Sequence, residues 1–120
     1  MARILVIDDS LMMQRLVQRM LEPLGHDVVA WLPASLSEIP SHMEELQPDL
    51  VITDLVMPGL DGLNVTRMFQ RKAGDLPIVV LTAHQDPKLK ERLLNAGVCR
   101  VLYKPIHQEA LVEAVNTSLA

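Results

Sequence analysis

The chain has 120 residues, enough for one domain over 1–120 and too few for a second. Hydrophobic residues make up 49%, so a real core can form; it must be mostly aliphatic, because Trp31, Phe69 and Tyr103 are the only aromatics. A net charge of −4 without a basic run argues against nucleic-acid binding, and the lone Cys99 excludes an internal disulfide, which fits a reducing cytoplasm.

The opening Met1-Ala-Arg-Ile-Leu-Val-Ile-Asp-Asp reaches acidic residues too soon for a signal-peptide core, and no apolar run approaches membrane-spanning length. Ile4–Ile7 is a short apolar run of the kind that forms a buried parallel strand. Ser10 can cap a helix that carries Met13, Leu16, Val17, Met20 and Leu24 on one face, with Gly25 as its stop. Val28–Leu32 reads as a second strand.

Pro33–Gln47 is the irregular stretch. Pro40 should interrupt any helix begun near Ser35, and Ser41 with Glu44 has the spacing of a capping box, so a short helix can restart there. Leu50–Thr53 is the third strand, followed by a helix from about Leu63 to Lys72. Ile78–Leu81 is the fourth strand, and Lys88–Ala96 is a helix stopped by Gly97. Val101–Tyr103 is the fifth strand, and a last helix runs from His107 to about Leu119 with Leu111, Val115 and Leu119 inward.

Strands alternating with helices imply an α/β fold: a doubly wound, five-stranded parallel sheet covered on both faces by five helices, the second of them irregular. Right-handed crossovers leave few topologies, and the flavodoxin-like order 2-1-3-4-5 is expected by analogy with known open sheets.

In such sheets, ligands gather beyond the carboxyl ends of the strands. Asp8 and Asp9 follow the first strand, Asp54 the third, Thr82 the fourth and Lys104 the fifth. Each alone is an ordinary loop residue; together, at four strand ends, they form a site. Unit charges about 4 Å apart repel by about 4 kcal/mol at an effective dielectric near 20, so clustered carboxylates need a proton or a cation. Oxygen ligands without His or Cys favour Mg²⁺ (or Mn²⁺) over zinc.

Val6-Ile-Asp-Asp-Ser10, Asp54-Leu-Val-Met-Pro-Gly-Leu-Asp-Gly62, Leu81-Thr-Ala83, Ala96-Gly97 and Lys104-Pro105 resemble the motifs of response-regulator receiver domains, and the resemblance covers essentially the whole chain. It implies that Asp54 is the nucleophile that becomes an aspartyl phosphate, taken from a phosphohistidine on a sensor histidine kinase or a histidine phosphotransfer protein. It implies that Asp9 and Asp54 ligate Mg²⁺, that Asp8 holds a metal-bound water, and that the Val56 backbone carbonyl adds a ligand. Thr82 would donate its hydroxyl to a phosphoryl oxygen, Lys104 would pair with the phosphoryl charge, and the Lys104–Pro105 bond would be cis. Such a chain catalyses only its own phosphorylation and dephosphorylation. It would be cytoplasmic, off the membrane, and a monomer or a weak phosphorylation-dependent dimer, with its effector unnamed.

Two positions qualify this picture. Members of the family usually carry an aromatic switch residue where Val101 stands. Tyr103, two residues on, shares its face; it either covers the end strand or takes over part of the readout. His84, two residues after Thr82, is either solvated or an influence on the hydrolytic water. The other histidines, His26, His42 and His107, lack metal spacing and suit surface positions, and Lys88, Lys90, Glu91 and Arg92 suit a solvated helix face. The Lys88–Ala96 helix, last strand and last helix are the expected output surface, and Ser10–Met20 the expected donor surface.

Three rival functions are weaker. A haloacid-dehalogenase-type phosphatase needs an acid where Val56 stands, and a flavin or nucleotide module needs a Gly-rich loop where Asp8-Asp-Ser-Leu stands. A phosphorylation-independent scaffold is opposed by the intact acidic set and left open by Val101.

Overall fold

The computed structural model describes residues 2–57, 60–72 and 74–120. Five strands, β1 (Arg3–Ile7), β2 (Asp27–Ala30), β3 (Leu50–Asp54), β4 (Ile78–Thr82) and β5 (Arg100–Tyr103), alternate with helices α1 (Leu11–Leu21), α2 (Ile39–Leu46), α3 (Gly62–Lys72), α4 (Pro87–Asn95) and α5 (Gln108–Leu119). The strands form one parallel sheet in the order β2-β1-β3-β4-β5, as expected for the doubly wound fold. Val56–Met57 and Leu60–Asp61 add a small antiparallel ladder beyond β3.

Alternation along the central strands builds two cores. Ile4, Val6, Leu50, Ile52, Val79 and Leu81 face α1 and α5 and meet Val17, Leu21, Leu111 and Val115. Leu5, Ile7, Val51, Ile78 and Val80 face the other way, toward Ile39, Met43, Val65, Phe69 and Leu93. Burial on both sides explains why these strands are continuous apolar runs and not alternating ones.

Two glycines are required by geometry. A Cβ on Gly62 would lie 2.5 Å from the Leu55 carbonyl oxygen, a backbone atom that cannot yield. Gly97, at φ 105°, closes α4: its amide donates to Leu94 O at 3.1 Å and that of Val98 to Leu93 O at 3.1 Å, the two hydrogen bonds of a Schellman cap.

Several boundaries differ from expectation. Leu24 is not on the buried face of α1; it lies in a 3-10 turn, Glu22–Leu24, and is half exposed. β2 ends at Ala30, leaving Leu32 exposed. β3 and β4 each extend one residue further, so Asp54 and Thr82 are the last strand residues and not the first loop residues. The irregular segment is a 3-10 turn, Leu36–Glu38, running directly into α2. Pro40 does not interrupt this helix, because it occupies the first turn, where no amide is needed; the Ser41 restart does not occur.

Candidate functional site

Four of the five strands deliver polar groups to the same rim. β1 is followed at once by Asp8, nearly fully buried, and by exposed Asp9. The turn into α1 is held by short-range bonds: the Ser10 amide donates to Asp8 Oδ1 at 2.9 Å, and Ser10 Oγ, capping α1, accepts from the Met13 amide at 3.3 Å. β3 delivers Asp54, whose Oδ1 accepts from the Leu55 amide at 2.7 Å. The carboxylates of Asp8, Asp9 and Asp54 each offer an oxygen within 4.8 Å of the others.

Lys104 follows β5 directly and is joined to Pro105 by a cis bond; its amide donates to Thr82 O at 2.8 Å. The side chain then crosses the rim. Its Nζ lies 3.2 Å from Asp8 Oδ2 and 3.5 Å from Asp54 Oδ2. Burial pushes the Asp8 carboxyl above its ordinary range, and the Asp54 charge adds to this; the Ser10 amide and the Lys104 ammonium pull the other way.

Three carboxyl groups face one ammonium, so acidic groups outnumber basic ones in the cluster. The donors are all oxygen, so the cluster can hold a divalent cation of the magnesium type.

Thr82 is buried at the end of β4, where its Oγ1 accepts from the His84 amide at 3.0 Å. His84 itself is exposed and lines a groove beside the site with Leu55, Asp61 and Asp86. The Val56 backbone lies immediately beyond β3, in register with Asp61. The side chains of Val101 and Tyr103 do not join the acid cluster. They face the α4 side, Val101 buried and Tyr103 half-buried, as their shared face requires. Tyr103 stands opposite Thr82 in the β4–β5 register.

The expected solvated face of α4 is only partly so. Lys88, Glu91 and Arg92 are exposed, but Lys90 is half-buried and its Nζ lies 5.7 Å from the Tyr103 ring centroid, a cation–π contact. Two of the histidines expected at the surface are half-buried and have partners. His42 stacks on Trp31 with centroids 3.9 Å apart, and His26 Nδ1 accepts from the Ala2 amide at 3.2 Å.

Sequence reasoning missed the amides of Ser10 and Leu55 and the side chain of Gln14, whose Nε2 donates to Asp8 O at 2.6 Å. The Ser10 contact had a signal, since Asp accepts readily from the amide two residues on. Gln14 had none.

Known proteins resemble this chain in sequence and in fold. The family model of the response regulator receiver domain matches residues 4–116. The chain is 36% identical over 118 residues to the sensor protein GacS of Pseudomonas syringae, covering 94% of this chain but 13% of that protein. It is 33% identical over 122 residues to the protein PilH of Pseudomonas aeruginosa, covering 100% of this chain and 99% of PilH. Other relatives are matched over about half their length. Among solved structures, a response regulator receiver domain protein from Clostridium thermocellum superimposes with a TM-score of 0.86 at 29% identity, covering 99% of this chain and 94% of the other. With its sheet order, its rim of acids and this match over nearly its whole length, the chain belongs to the response-regulator receiver domain family.

Proposed function

We propose that residues 1–120 act as one receiver domain that accepts a phosphoryl group on Asp54 in a Mg²⁺-dependent reaction. The observation that carries this reading is the Lys104 ammonium set between Asp8 and Asp54, with the Asp9 carboxylate in the same cluster.

Asp9 and Asp54 would hold the cation through their carboxylates, Asp8 through a bound water, and Val56 through its backbone carbonyl. When bound, Mg²⁺ neutralises charge on the phosphoryl group and orients it. A carboxylate oxygen of Asp54 attacks phosphorus, and the P–N bond of a phosphohistidine breaks, with its electron pair staying on the donor imidazole. The Leu55 amide fixes one oxygen of Asp54 while the other faces Lys104, so the nucleophile is oriented before the donor arrives. Lys104 then exchanges its carboxylate contact for a phosphoryl oxygen, and Thr82 donates its hydroxyl to another. Because Thr82 and Tyr103 are register partners, movement of Thr82 would reach the α4–β5–α5 surface; His84 would modulate access of hydrolytic water.

The donor would be a sensor histidine kinase or histidine phosphotransfer protein. GacS is named a sensor protein and GacA a response regulator. The exposed Leu11 and Met12 on α1, beside the site, suit contact with that donor. The chain would turn over no external substrate and would work in the cytoplasm as a monomer or weak dimer. Among the described residues no helix is long and apolar enough to cross a membrane.

The test is incubation with Mg²⁺ and acetyl phosphate, a small-molecule phosphodonor. A hydroxylamine-labile phosphoprotein should form, and Asp54→Asn should not form it. No adduct in the wild type, or an undiminished one in the variant, overturns the reading.

A further inference from the structure

Asp8, Asp9 and Asp54 form one cluster, but they are held in different ways. Asp8 Oδ1 is fixed by the Ser10 amide and Oδ2 by Lys104; Asp54 Oδ1 is fixed by the Leu55 amide and Oδ2 faces Lys104. Among the described residues, no such bond holds the carboxylate of Asp9, which is exposed. Its placement therefore depends on its backbone.

That backbone is held on both sides: the Ser10 amide after it donates to Asp8 Oδ1, and the carbonyl before it accepts from a side chain, that of Gln14. Gln14 lies in the first turn of α1, where its own amide donates to Ser10 O at 3.0 Å. Side chains on a helix lean toward its N-terminus, so the Gln14 carboxamide reaches back over the turn. Its Nε2 donates to Asp8 O at 2.6 Å. This carbonyl lies past the last β1–β3 register pair, Ile7 with Thr53. The carbonyl of Asp8 and the amide of Asp9 share one rigid plane, so fixing the first fixes the direction in which the Asp9 side chain leaves the chain.

We propose that Gln14 is a positioning residue for the cation site, acting on Asp9 through the Asp8–Asp9 peptide plane. The proposal rests on the divalent-cation reading above. It concerns affinity for the ion, not the chemistry at Asp54. Loss of a partner that orients a metal ligand costs roughly tenfold or more in metal affinity.

The experiment is titration with Mn²⁺ followed by electron paramagnetic resonance, on the wild type, Gln14→Met (similar length, no donor) and Gln14→Asn (a donor that falls short). Both variants should bind Mn²⁺ about tenfold more weakly. In an Asp9→Asn background, Gln14→Met should change the affinity less than about twofold, because the ligand it positions is gone. A merely structural Gln14 would lower the melting temperature of the cation-free protein and leave the affinity unmoved. Affinities within twofold of the wild type, or an equal loss in the Asp9→Asn background, overturn the proposal while leaving the cation site standing. Absence of Mn²⁺ binding by the wild type overturns both. If Gln14→Met does not fold, Gln14→Asn carries the comparison.

Discussion

Lys104 and Asp8 are 96 residues apart in sequence, yet the Lys104 ammonium lies 3.2 Å from Asp8 Oδ2. The contact joins the end of β5 to the end of β1, across the intervening ends of β3 and β4. It sets an ammonium against a nearly buried carboxyl, Asp8, and a second one, Asp54, and so opposes the upward push of burial on Asp8. In the proposed reaction the same ammonium would leave this pair to meet an incoming phosphoryl group.

Replacing Lys104 by Met should separate these two roles. Removing one partner of a largely buried ion pair costs more than the pair was worth, because it leaves a desolvated charge. The expected loss is on the order of 2 kcal/mol without divalent cation, measured by urea denaturation. Cation affinity should hold or rise, since the site becomes more negative. Phosphorylation by acetyl phosphate should slow by about 10²-fold, the effect of losing one charge-stabilising donor. An unchanged rate would remove Lys104 from the reaction.

Asp8 sets a pH dependence. Its carboxyl is raised in the folded state, chiefly by burial, so the native state takes up a proton more readily than the unfolded chain. Above the raised value, ionised Asp8 opposes folding. As pH falls through that value toward the ordinary carboxylate range, this opposition is relieved, and below both values Asp8 contributes no further slope. Cation-free Asp8→Asn should therefore melt higher than the wild type at pH 7, and the difference should shrink as pH falls through the window. Thermal melts across pH 3–8 measure it; a lower melting point for the variant at pH 7 would contradict the assignment.

Mg²⁺ should stabilise the fold by mass action. At a concentration 100 times its dissociation constant, binding to the native state alone contributes about 2.7 kcal/mol. For a chain of this size the melting temperature should rise on the order of 10 °C. Asp9→Asn and Asp54→Asn should each lose most of that rise. A full rise in both variants would place the cation elsewhere.

Gly62→Ala tests the packing that sets Asp54. The added methyl would press on the Leu55 backbone at its carbonyl oxygen, directly after Asp54. Overpacking of this kind costs about 1–3 kcal/mol. Because Leu55 also supplies the amide that fixes Asp54 Oδ1, the phosphorylation rate should fall as well. A stable variant with an unaltered rate would show that the turn relaxes without strain.

Much of the fold is legible in the sequence. Strands buried on both faces must be apolar throughout, so Ile4–Ile7, Leu50–Thr53 and Ile78–Leu81 stood out, and alternation with helical stretches implied the parallel sheet. Their ends were less legible, because Asp54 and Thr82 look like loop residues until a neighbouring strand is seen to pair with them. Pro40 misled for a related reason: proline stops a helix only where an amide is needed, and the sequence does not show which turn it occupies.

What the sequence determined by itself was the order of apolar and polar stretches, and with it which residues would stand at the carboxyl rim. The tertiary structure decided which of them touch. Lys104 chooses Asp8 and Asp54, Gln14 reaches the Asp8 carbonyl, and Lys90 covers Tyr103 because strand order and helix packing bring distant segments within a few ångströms. Periodicity reports a residue's face, which is a local property. Contact between residues far apart in the chain depends on how the faces are assembled, and no local pattern encodes that distance.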